Sequence, residues 1–188
     1  MLKKVILAGG SGFLGQALGR RLRERGHEVV VLTRSNPRRR GDGIREVRWN
    51  PEASGPSNPI GDKSEESWEQ ELEEAMAVVN LAGRSVDCVH TEENRRAILQ
   101  TRLDAVQSLG RAFAACARPP AAWVQASATG YYGNVEKGRC AEETPVGSDH
   151  LAQVCRQCEE AFARACPAAV RPVVLRIGVV LGRKGGAF

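Results

Sequence analysis

Three glycines spaced three residues apart, Gly9, Gly12 and Gly15, directly follow a short apolar run near the start of the chain. Between a strand and a helix, the first glycine of this motif permits a tight turn and the second lets backbone approach a pyrophosphate. The third lets helix and strand pack closely. The free N–H groups and positive dipole end of the helix then face the phosphates. The motif predicts a phosphate-binding loop, with a purely structural turn as the alternative.

A second chemical signal stands at the end of the next apolar run, where the chain reads Thr33, Arg34 and Ser35. A dinucleotide fold that selects NAD places a carboxylate about 20 residues after the glycine loop, on the ribose 2′-hydroxyl. No acid is present here, and a guanidinium suits a 2′-phosphate. The sequence therefore favours NADP(H) over NAD(H), with a solvated charge at the strand end as the alternative for Arg34.

Six cysteines are present, of which Cys155 and Cys158 form a Cys-x-x-Cys pair in a helical pattern close to His150. A redox pair or a zinc site would use such a spacing, but four metal ligands cannot be assembled locally. We therefore interpret the pair as incidental and expect no metal site.

The candidate binding residues must be positioned by strands and helices, and the hydrophobic pattern predicts both in alternation. Apolar runs predict strands at 3–10, 27–34, 44–50, 77–83 and 171–182, and within 119–133 they predict a fifth strand that leaves into a polar loop. Helical spacing predicts helices at 13–25, 66–76, 92–115 and 148–165. The segment 35–67 is rich in Pro, Gly, Ser and Arg and is expected to be irregular. The pattern predicts an α/β fold: a Rossmann-like, doubly wound parallel sheet with helices on both faces, forming one NAD(P)-binding domain over residues 1–188.

Composition limits the partners that this chain can have. The 188 residues carry a formal charge of +5, with 42% apolar and 26% charged residues, as in an ordinary globular domain. The positive charge is local, at Arg38, Arg39 and Arg40, and aromatic residues are few, so we expect no nucleic-acid partner. No apolar stretch approaches the roughly 18 residues of a membrane span, so no membrane partner is expected. The absence of a secretory signal pattern, together with the cysteines, predicts a reducing cytoplasm.

Five segments together resemble a known family: GGSGFLG, LTR, VVNLAG, SATGYYG and VVLRIGVVLG. They are similar to the short-chain dehydrogenase/reductase superfamily in its extended, sugar-nucleotide-epimerase-like form. More narrowly, they resemble the atypical epimerases known as cell-division-inhibitor-like, over residues 3–186. The resemblance implies an NADP(H)-binding epimerase or oxidoreductase acting on a carbonyl or hydroxyl carbon, with a nucleotide sugar as one candidate substrate.

The same resemblance implies which residues contact the cofactor. The phosphate loop would contribute its glycines and their neighbours, Arg34 would hold the 2′-phosphate, and the 81–83 turn would lie at the adenosine ribose. Arg102 would also face the cofactor, and Val180 would border the nicotinamide. For the apolar positions, core packing is the alternative. The full set is Gly9, Ser11, Gly12, Phe13, Leu14, Gly15, Thr33, Arg34, Leu81, Ala82, Gly83, Arg102 and Val180.

Catalysis in this superfamily needs a Tyr whose pKa is lowered by a Lys four residues later, and a Ser or Thr that orients the substrate oxygen. Ser127 matches the hydroxyl residue. If Glu159 is the family's glutamate, the Tyr and Lys positions hold Leu151 and Cys155, so the dyad is absent.

Another acid would then have to serve, and the candidates are Tyr131 and Tyr132 in the loop after the fifth strand, with Glu136 and Lys137 nearby. Packing or capping is the alternative role for the two tyrosines. Two functional classes stay open: an NADP-dependent epimerase or reductase acting on a small-molecule substrate, and a non-catalytic NADPH-binding or regulatory protein. 

The resembled family continues past the sixth strand into a smaller domain that closes over the nicotinamide. This chain ends at Phe188, so the C-terminal substrate domain is expected to be missing. By analogy with related enzymes, the helices at 92–115 and 150–165 could pair with a second copy in a homodimer.

Overall fold

The computed structural model describes residues 3–38, 40–52, 67–182 and 185–186. Within these ranges, six strands form one sheet and two very short strands form a hairpin. The strands and α-helices, in chain order, are β1 Lys4–Ala8, α1 Phe13–Glu24, β2 Glu28–Thr33, β3 Arg45–Arg48, β4 Ala77–Asn80, α2 Glu92–Ala115, β5 Ala122–Ala128, α3 His150–Ala165, β6 Arg171–Ile177, β7 Leu181–Gly182 and β8 Gly185–Gly186. No helix in the described ranges has the length and apolar character needed to cross a membrane.

The large sheet has the strand order β3-β2-β1-β4-β5-β6, and every neighbouring pair runs parallel. The order reverses between β1 and β4, which is where ligands bind in open parallel sheets. Four of the five residues of β1 and five of the six of β2 are buried, as expected for strands covered on both faces. The predicted α/β fold with a doubly wound parallel sheet is confirmed.

Alternate residues of the strands enter two separate cores, one on each side of the sheet. Helix α1 covers one side, where Leu18 and Leu22 pack on Val5, Leu7, Val29, Val31 and Ile44. Helices α2 and α3 cover the other side, where the buried aromatic rings include Phe113, Trp123 and Phe162. The Trp123 ring stacks on Phe113 at 4.8 Å and meets the edge of Phe162 at 5.0 Å, between centroids. This packing joins α2 and α3 to the amino-terminal half of β5.

Two predicted elements differ from the structure. The helix expected over 66–76 is a short 3₁₀ helix, Trp68–Leu72, and residue 66 lies outside the described residues. Its extension is prevented because the chain must rejoin the sheet: the Met76 N–H already donates to the Lys4 carbonyl at 2.7 Å. The strand expected over 171–182 ends at Ile177, and its last residues turn into the β7–β8 hairpin.

The segment predicted to be irregular, 35–67, is described only in part, because residues 39 and 53–66 lie outside the described ranges. Its described part contains β3, the edge strand of the sheet. Val47 and Trp49 contact the same core from this strand, as their spacing predicts. Trp49 donates its ring N–H to the Ser108 hydroxyl at 3.1 Å, which ties this segment to α2.

Candidate functional site

The glycine turn has the backbone geometry that its sequence predicts. Gly9 has φ +73°, and a Cβ there would lie 2.8 Å from backbone atoms of Ala82. A Cβ on Gly15 would lie 2.4 Å from the Cα of Gly10, so α1 packs directly against the turn. Only glycine fits both requirements, left-handed backbone at the first position and close approach at the third. The turn therefore has the tight backbone at Gly9 and the close helix approach at Gly15 that such a motif needs.

Helix α1 begins with its amino end open. Gly12 is the N-cap residue, no side chain caps this end, and no acidic residue lies in the first turn. The first N–H to be used within the helix is that of Gln16, which donates to the Gly12 carbonyl at 2.9 Å. The preceding N–H groups and the helix dipole therefore favour an anion at this point.

A cavity of about 220 Å³, here called the turn cavity, lies at the carboxyl ends of β1, β2 and β4. Eight of the residues predicted to contact the cofactor line it. Its lining residues are Gly9, Ser11, Gly12, Leu32, Thr33, Arg34, Trp49, Pro51, Glu52, Leu81, Ala82, Gly83, Arg84 and Thr101. The glycine turn and the end of β2 thus share one cavity.

Arg34 lacks, among the described residues, the counter-charge that Arg40 and Arg45 of the same region have. Arg40 pairs with Asp42 at 2.6 Å, and Arg45 pairs with the buried Glu71. The Arg34 side chain is exposed and has no ion pair or hydrogen bond among the described residues, yet it lines the turn cavity. Its five N–H donors are available to a ligand.

Sequence reasoning missed four polar or aromatic residues of this cavity: Trp49, Glu52, Arg84 and Thr101. The signal for Trp49 and Glu52 was their position just after β3, because parallel strands end at one edge of a sheet. Arg84 follows the turn after β4, and its guanidinium donates to the Asn94 side chain at 2.8 Å. Glu52 adds a carboxylate to the cavity that also contains Arg34.

The 81–83 turn is held by one buried amide. Asn80 is fully buried; its side-chain N–H donates to Gln125 at 2.9 Å, and its side-chain oxygen accepts from the Ala82 N–H at 3.1 Å. The Leu81 N–H donates to the Ala8 carbonyl at 2.8 Å. The turn is therefore fixed to the ends of three strands.

A second cavity, of about 190 Å³, lies on the other side of this turn and is here called the Ser127 cavity. It shares only the 81–83 turn with the turn cavity. Leu151 and Cys155, which are predicted to occupy the Tyr and Lys positions, both line it. The full lining is Leu81, Ala82, Gly83, Val86, Arg102, Ala126, Ser127, Ala128, Gly130, Leu151, Val154, Cys155 and Cys158.

Ser127 takes part in a charged network. Its hydroxyl donates to Glu159 at 2.5 Å, and Glu159 accepts two hydrogen bonds from Arg176 at 2.9 and 3.1 Å. The bond to Glu159 raises the pKa of the Arg176 guanidinium further above its ordinary value. The carboxylate and guanidinium side chains are only 14% and 18% exposed, so solvent screens this pair weakly.

The two tyrosines contact Arg176 in this ion pair, whereas Ser127 contacts Glu159. The Arg176 guanidinium carbon lies 3.5 Å from the centre of the Tyr131 ring, and Arg176 donates to the Tyr132 hydroxyl at 3.0 Å. Tyr132, Glu159 and Arg176 line a separate open groove of about 560 Å³. The described residues therefore do not bring the tyrosines and Ser127 into one cavity. Glu136 and Lys137, in the same loop as the tyrosines, are exposed.

Burial keeps the thiols of the Ser127 cavity protonated. It raises the pKa of Cys158 to about 12. It also raises the pKa of Cys155, although hydrogen bonds with the Ser127 side chain and the Ala128 backbone oppose this shift. Nucleophilic and metal-binding roles need the thiolate, which these surroundings disfavour. Within the described residues, no group of three or more His, Cys, Asp or Glu side chains could hold a metal ion.

The remaining predicted cofactor residues are placed as follows. Arg102 lines the Ser127 cavity, whereas Phe13, Leu14, Gly15 and Val180 line neither cavity. The Phe13 ring lies on the β7–β8 hairpin, since a Cβ on Gly182 would be 2.6 Å from it.

A glycine turn at the amino end of α1, beside the switch point of a parallel sheet, defines a dinucleotide-binding α/β protein of the Rossmann class. The model of the NAD dependent epimerase/dehydratase family matches residues 5–186. The chain belongs to this family.

Named relatives support this assignment. The chain is 37% identical to the chloroplastic SDR39U1 homolog of Arabidopsis thaliana over 98% of its length and 51% of that protein's. It is 31% identical to Bacillus subtilis YfhF over 96% of its own length and 56% of that protein's. The crystal structure of human SDR39U1 (isoform 2) with NADPH matches 98% of this chain and 56% of that one, with a TM-score of 0.77 and 31% identity. The chain thus spans about half the length of these relatives.

Proposed function

We propose that the protein binds NADP(H) with the diphosphate across the amino end of α1 and the adenosine 2′-phosphate against Arg34. The nicotinamide end would pass over the 81–83 turn into the Ser127 cavity. Thr33 and the 81–83 turn would then border the adenosine half, and Arg102 would face the nicotinamide half. The family relationship supports a nucleotide cofactor, and the human SDR39U1 structure carries NADPH.

One observation carries the preference for NADP(H): Arg34 lines the turn cavity without any carboxylate partner among the described residues. A planar, permanently charged guanidinium with free donors suits a 2′-phosphate dianion. Glu52, in the same cavity, is repelled by that phosphate and would favour a ribose hydroxyl. Arg34 thus favours NADP(H), whereas Glu52 favours NAD(H). We propose that the effect of Arg34, which has no carboxylate partner among the described residues, is the larger of the two.

Titrations of NADPH and NADH against wild type and Arg34→Ala test this preference. We expect wild type to bind NADPH more tightly and the variant to lose about 1 to 3 kcal/mol of NADPH affinity, with NADH affinity nearly unchanged. Intrinsic fluorescence or calorimetry measures both constants.

Arg38→Ala is the matched control, because Arg38 is also exposed but does not line the turn cavity. It should leave both affinities unchanged. Equal affinities of wild type for NADPH and NADH would defeat the proposed preference, as would equal losses in the two variants.

For the reaction, we propose reduction or epimerisation at a carbonyl or hydroxyl carbon held beside Ser127. The cofactor would supply or accept the hydride, and Ser127 would hydrogen-bond the substrate oxygen. Nucleotide sugars are one candidate substrate class; the structure of a protein described as a nucleoside-diphosphate sugar epimerase, from Corynebacterium glutamicum, matches 99% of this chain and 36% of that one, with 30% identity and a TM-score of 0.75. Tyr131 and Tyr132 remain candidate proton donors, although Arg176 already holds both.

A non-catalytic NADPH-binding role is the second candidate. Leu151 and Cys155 at the dyad positions favour it, because neither can act as the Tyr–Lys pair does. NADPH oxidation against a panel of aldehydes and ketones separates the two candidates. Turnover that is lost in Ser127→Ala while NADPH binding persists supports the enzyme, and no turnover in any preparation supports the binding protein.

A homodimer through α2 and α3, and a cytoplasmic location, stay predictions. The two helices lie side by side and bury Ile98, Val154 and Cys158 between them. Sedimentation of the protein at several concentrations tests the dimer.

A further inference from the structure

Ser127 has a hydrogen-bond partner outside the cavity that it lines. Its hydroxyl oxygen lies 2.5 Å from a carboxylate oxygen of Glu159, and the same carboxylate accepts two hydrogen bonds from Arg176. A carboxylate paired with an arginine is ionised and can only accept hydrogen bonds. The single hydrogen of the Ser127 hydroxyl is therefore used in the bond to Glu159.

The Ser127 oxygen keeps a free lone pair for a ligand. A hydroxyl group has one hydrogen and two lone pairs. The Cys155 thiol, which burial keeps protonated, forms a hydrogen bond with the Ser127 side chain. Because the Ser127 hydrogen is used in the bond to Glu159, the Cys155 S–H is the donor of this bond and occupies one lone pair. The second lone pair remains, so Ser127 presents an acceptor to the cavity.

A carbonyl group in this cavity would find few hydrogen-bond donors among the described lining residues. Leu151 is predicted to occupy the position of the superfamily's Tyr, whose hydroxyl would donate to a carbonyl oxygen. Arg102 is assigned to the cofactor in the proposed binding mode, and thiols are weak donors. The remaining side-chain walls are apolar and comprise Leu81, Ala82, Val86, Ala126, Ala128, Leu151 and Val154. A hydroxyl group, in contrast, can donate to Ser127.

We propose that Ser127 accepts a hydrogen bond from a hydroxyl group of the second ligand, so that the protein acts on, or senses, an alcohol rather than an aldehyde or ketone. This inference rests on the proposed function, which includes both the carbonyl and the hydroxyl form of the substrate. Glu159 is a positioning residue, because it lines the open groove and not the Ser127 cavity. It orients the hydroxyl that meets the ligand.

Titration of the cofactor-free protein with cyclohexanol and cyclohexanone, followed by ligand-observed NMR, tests this proposal. The two probes have nearly the same size and differ in the ability to donate a hydrogen bond, and neither can exchange a hydride without the cofactor. We expect wild type to bind cyclohexanol at least about fivefold more tightly than cyclohexanone. Ser127→Ala should lose this preference, whereas Ser127→Thr, which keeps a hydroxyl, should retain it.

Glu159→Gln tests the positioning role. The amide keeps the size of the side chain, but it is neutral and its N–H can donate to the Ser127 oxygen, which releases the Ser127 hydrogen to a ligand. We expect the preference for cyclohexanol to fall to within about twofold. Glu160→Gln, at the exposed next position of α3, is the matched control and should keep the wild-type preference. A merely structural role of Glu159 would weaken both probes equally and leave the ratio unchanged.

Several results would overturn the proposal. They are binding of neither probe to wild type, equal or tighter binding of cyclohexanone, a preference for cyclohexanol that persists in Ser127→Ala, and an unchanged preference in Glu159→Gln. NADPH titration of wild type is a separate measurement. Its failure would refute the proposed cofactor site, whereas the ratio of the two probe affinities in the cofactor-free protein still tests Ser127.

Discussion

The turn cavity and the Ser127 cavity lie on either side of one turn but are built differently. The turn cavity offers mainly backbone, namely a left-handed glycine and the open amino end of α1, together with one arginine that has no ion pair among the described residues. The Ser127 cavity offers side chains, and two of them, Leu151 and Cys155, depart from the chemistry that the resembled superfamily uses. Recognition of a phosphate by backbone N–H groups depends on a few glycines, so it is retained as long as the fold is retained. Reactivity depends on individual side chains, so one substitution can change it without disturbing cofactor recognition.

Among the substitutions that test this difference between the two cavities, Gly9→Ala should have the largest effect. The added Cβ would meet Ala82 at 2.8 Å in a backbone conformation that alanine avoids. We expect a loss of about 4 kcal/mol in unfolding free energy and no measurable NADPH binding, by denaturant titration and calorimetry.

Gly26→Ala separates the two causes. Gly26 has φ +82°, but a Cβ there meets nothing within 4 Å, so the variant should lose only about 1 kcal/mol and keep NADPH binding. Equal losses in the two variants would show that the contact with the 81–83 turn is unimportant.

A smaller effect is expected from Glu159→Ala, which tests whether the two cavities are independent. The change leaves Arg176 largely buried without its partner, and we expect a loss of about 3 kcal/mol in unfolding free energy. NADPH affinity should stay within about twofold, because Glu159 does not line the turn cavity.

Glu160→Ala removes an ion pair from the next position of α3, where Glu160 and Arg156 are 46% and 43% exposed. It should cost at most about 0.5 kcal/mol. A large fall in NADPH affinity for Glu159→Ala alone would contradict the independence of the two cavities.

The smallest expected effect is on the pH dependence of the unfolding free energy, and it involves one thiol of the Ser127 cavity. The pKa of Cys158 is raised from 9.0 to about 12 in the folded protein, so the unfolded chain loses this proton first as pH rises. Stability from this group is therefore complete below pH 9 and declines above it, by about 1.4 kcal/mol at pH 10.

Cys158→Ala should flatten that decline in denaturant titrations between about pH 8 and pH 10. Cys140→Ala, which removes an exposed thiol, should leave the slope unchanged. Parallel slopes for wild type and Cys158→Ala would mean that the thiol is not shielded from water.

Sequence predicts most of this fold because continuous apolar runs and helical spacing decide the elements here, and glycine spacing decides the turn. It misplaces the 66–76 helix, because the demand to rejoin the sheet at Met76 is a tertiary constraint that no local pattern carries. The residues missed in the turn cavity, Trp49 and Glu52, come from a segment whose connection to the site depends on the parallel pairing of β3 with β2. The bond between Ser127 and Glu159 joins residues 32 positions apart and has no sequence signature.

The amide of Asn80 gives the 81–83 turn little freedom, and this has a consequence for ligand size. In the proposed binding mode, this turn sets the distance between the phosphates in the turn cavity and the reacting end in the Ser127 cavity. A mononucleotide that carries the 2′-phosphate would occupy the turn cavity and leave the Ser127 cavity empty. Only a molecule whose two halves are joined by a linker of matching length would occupy both cavities at once.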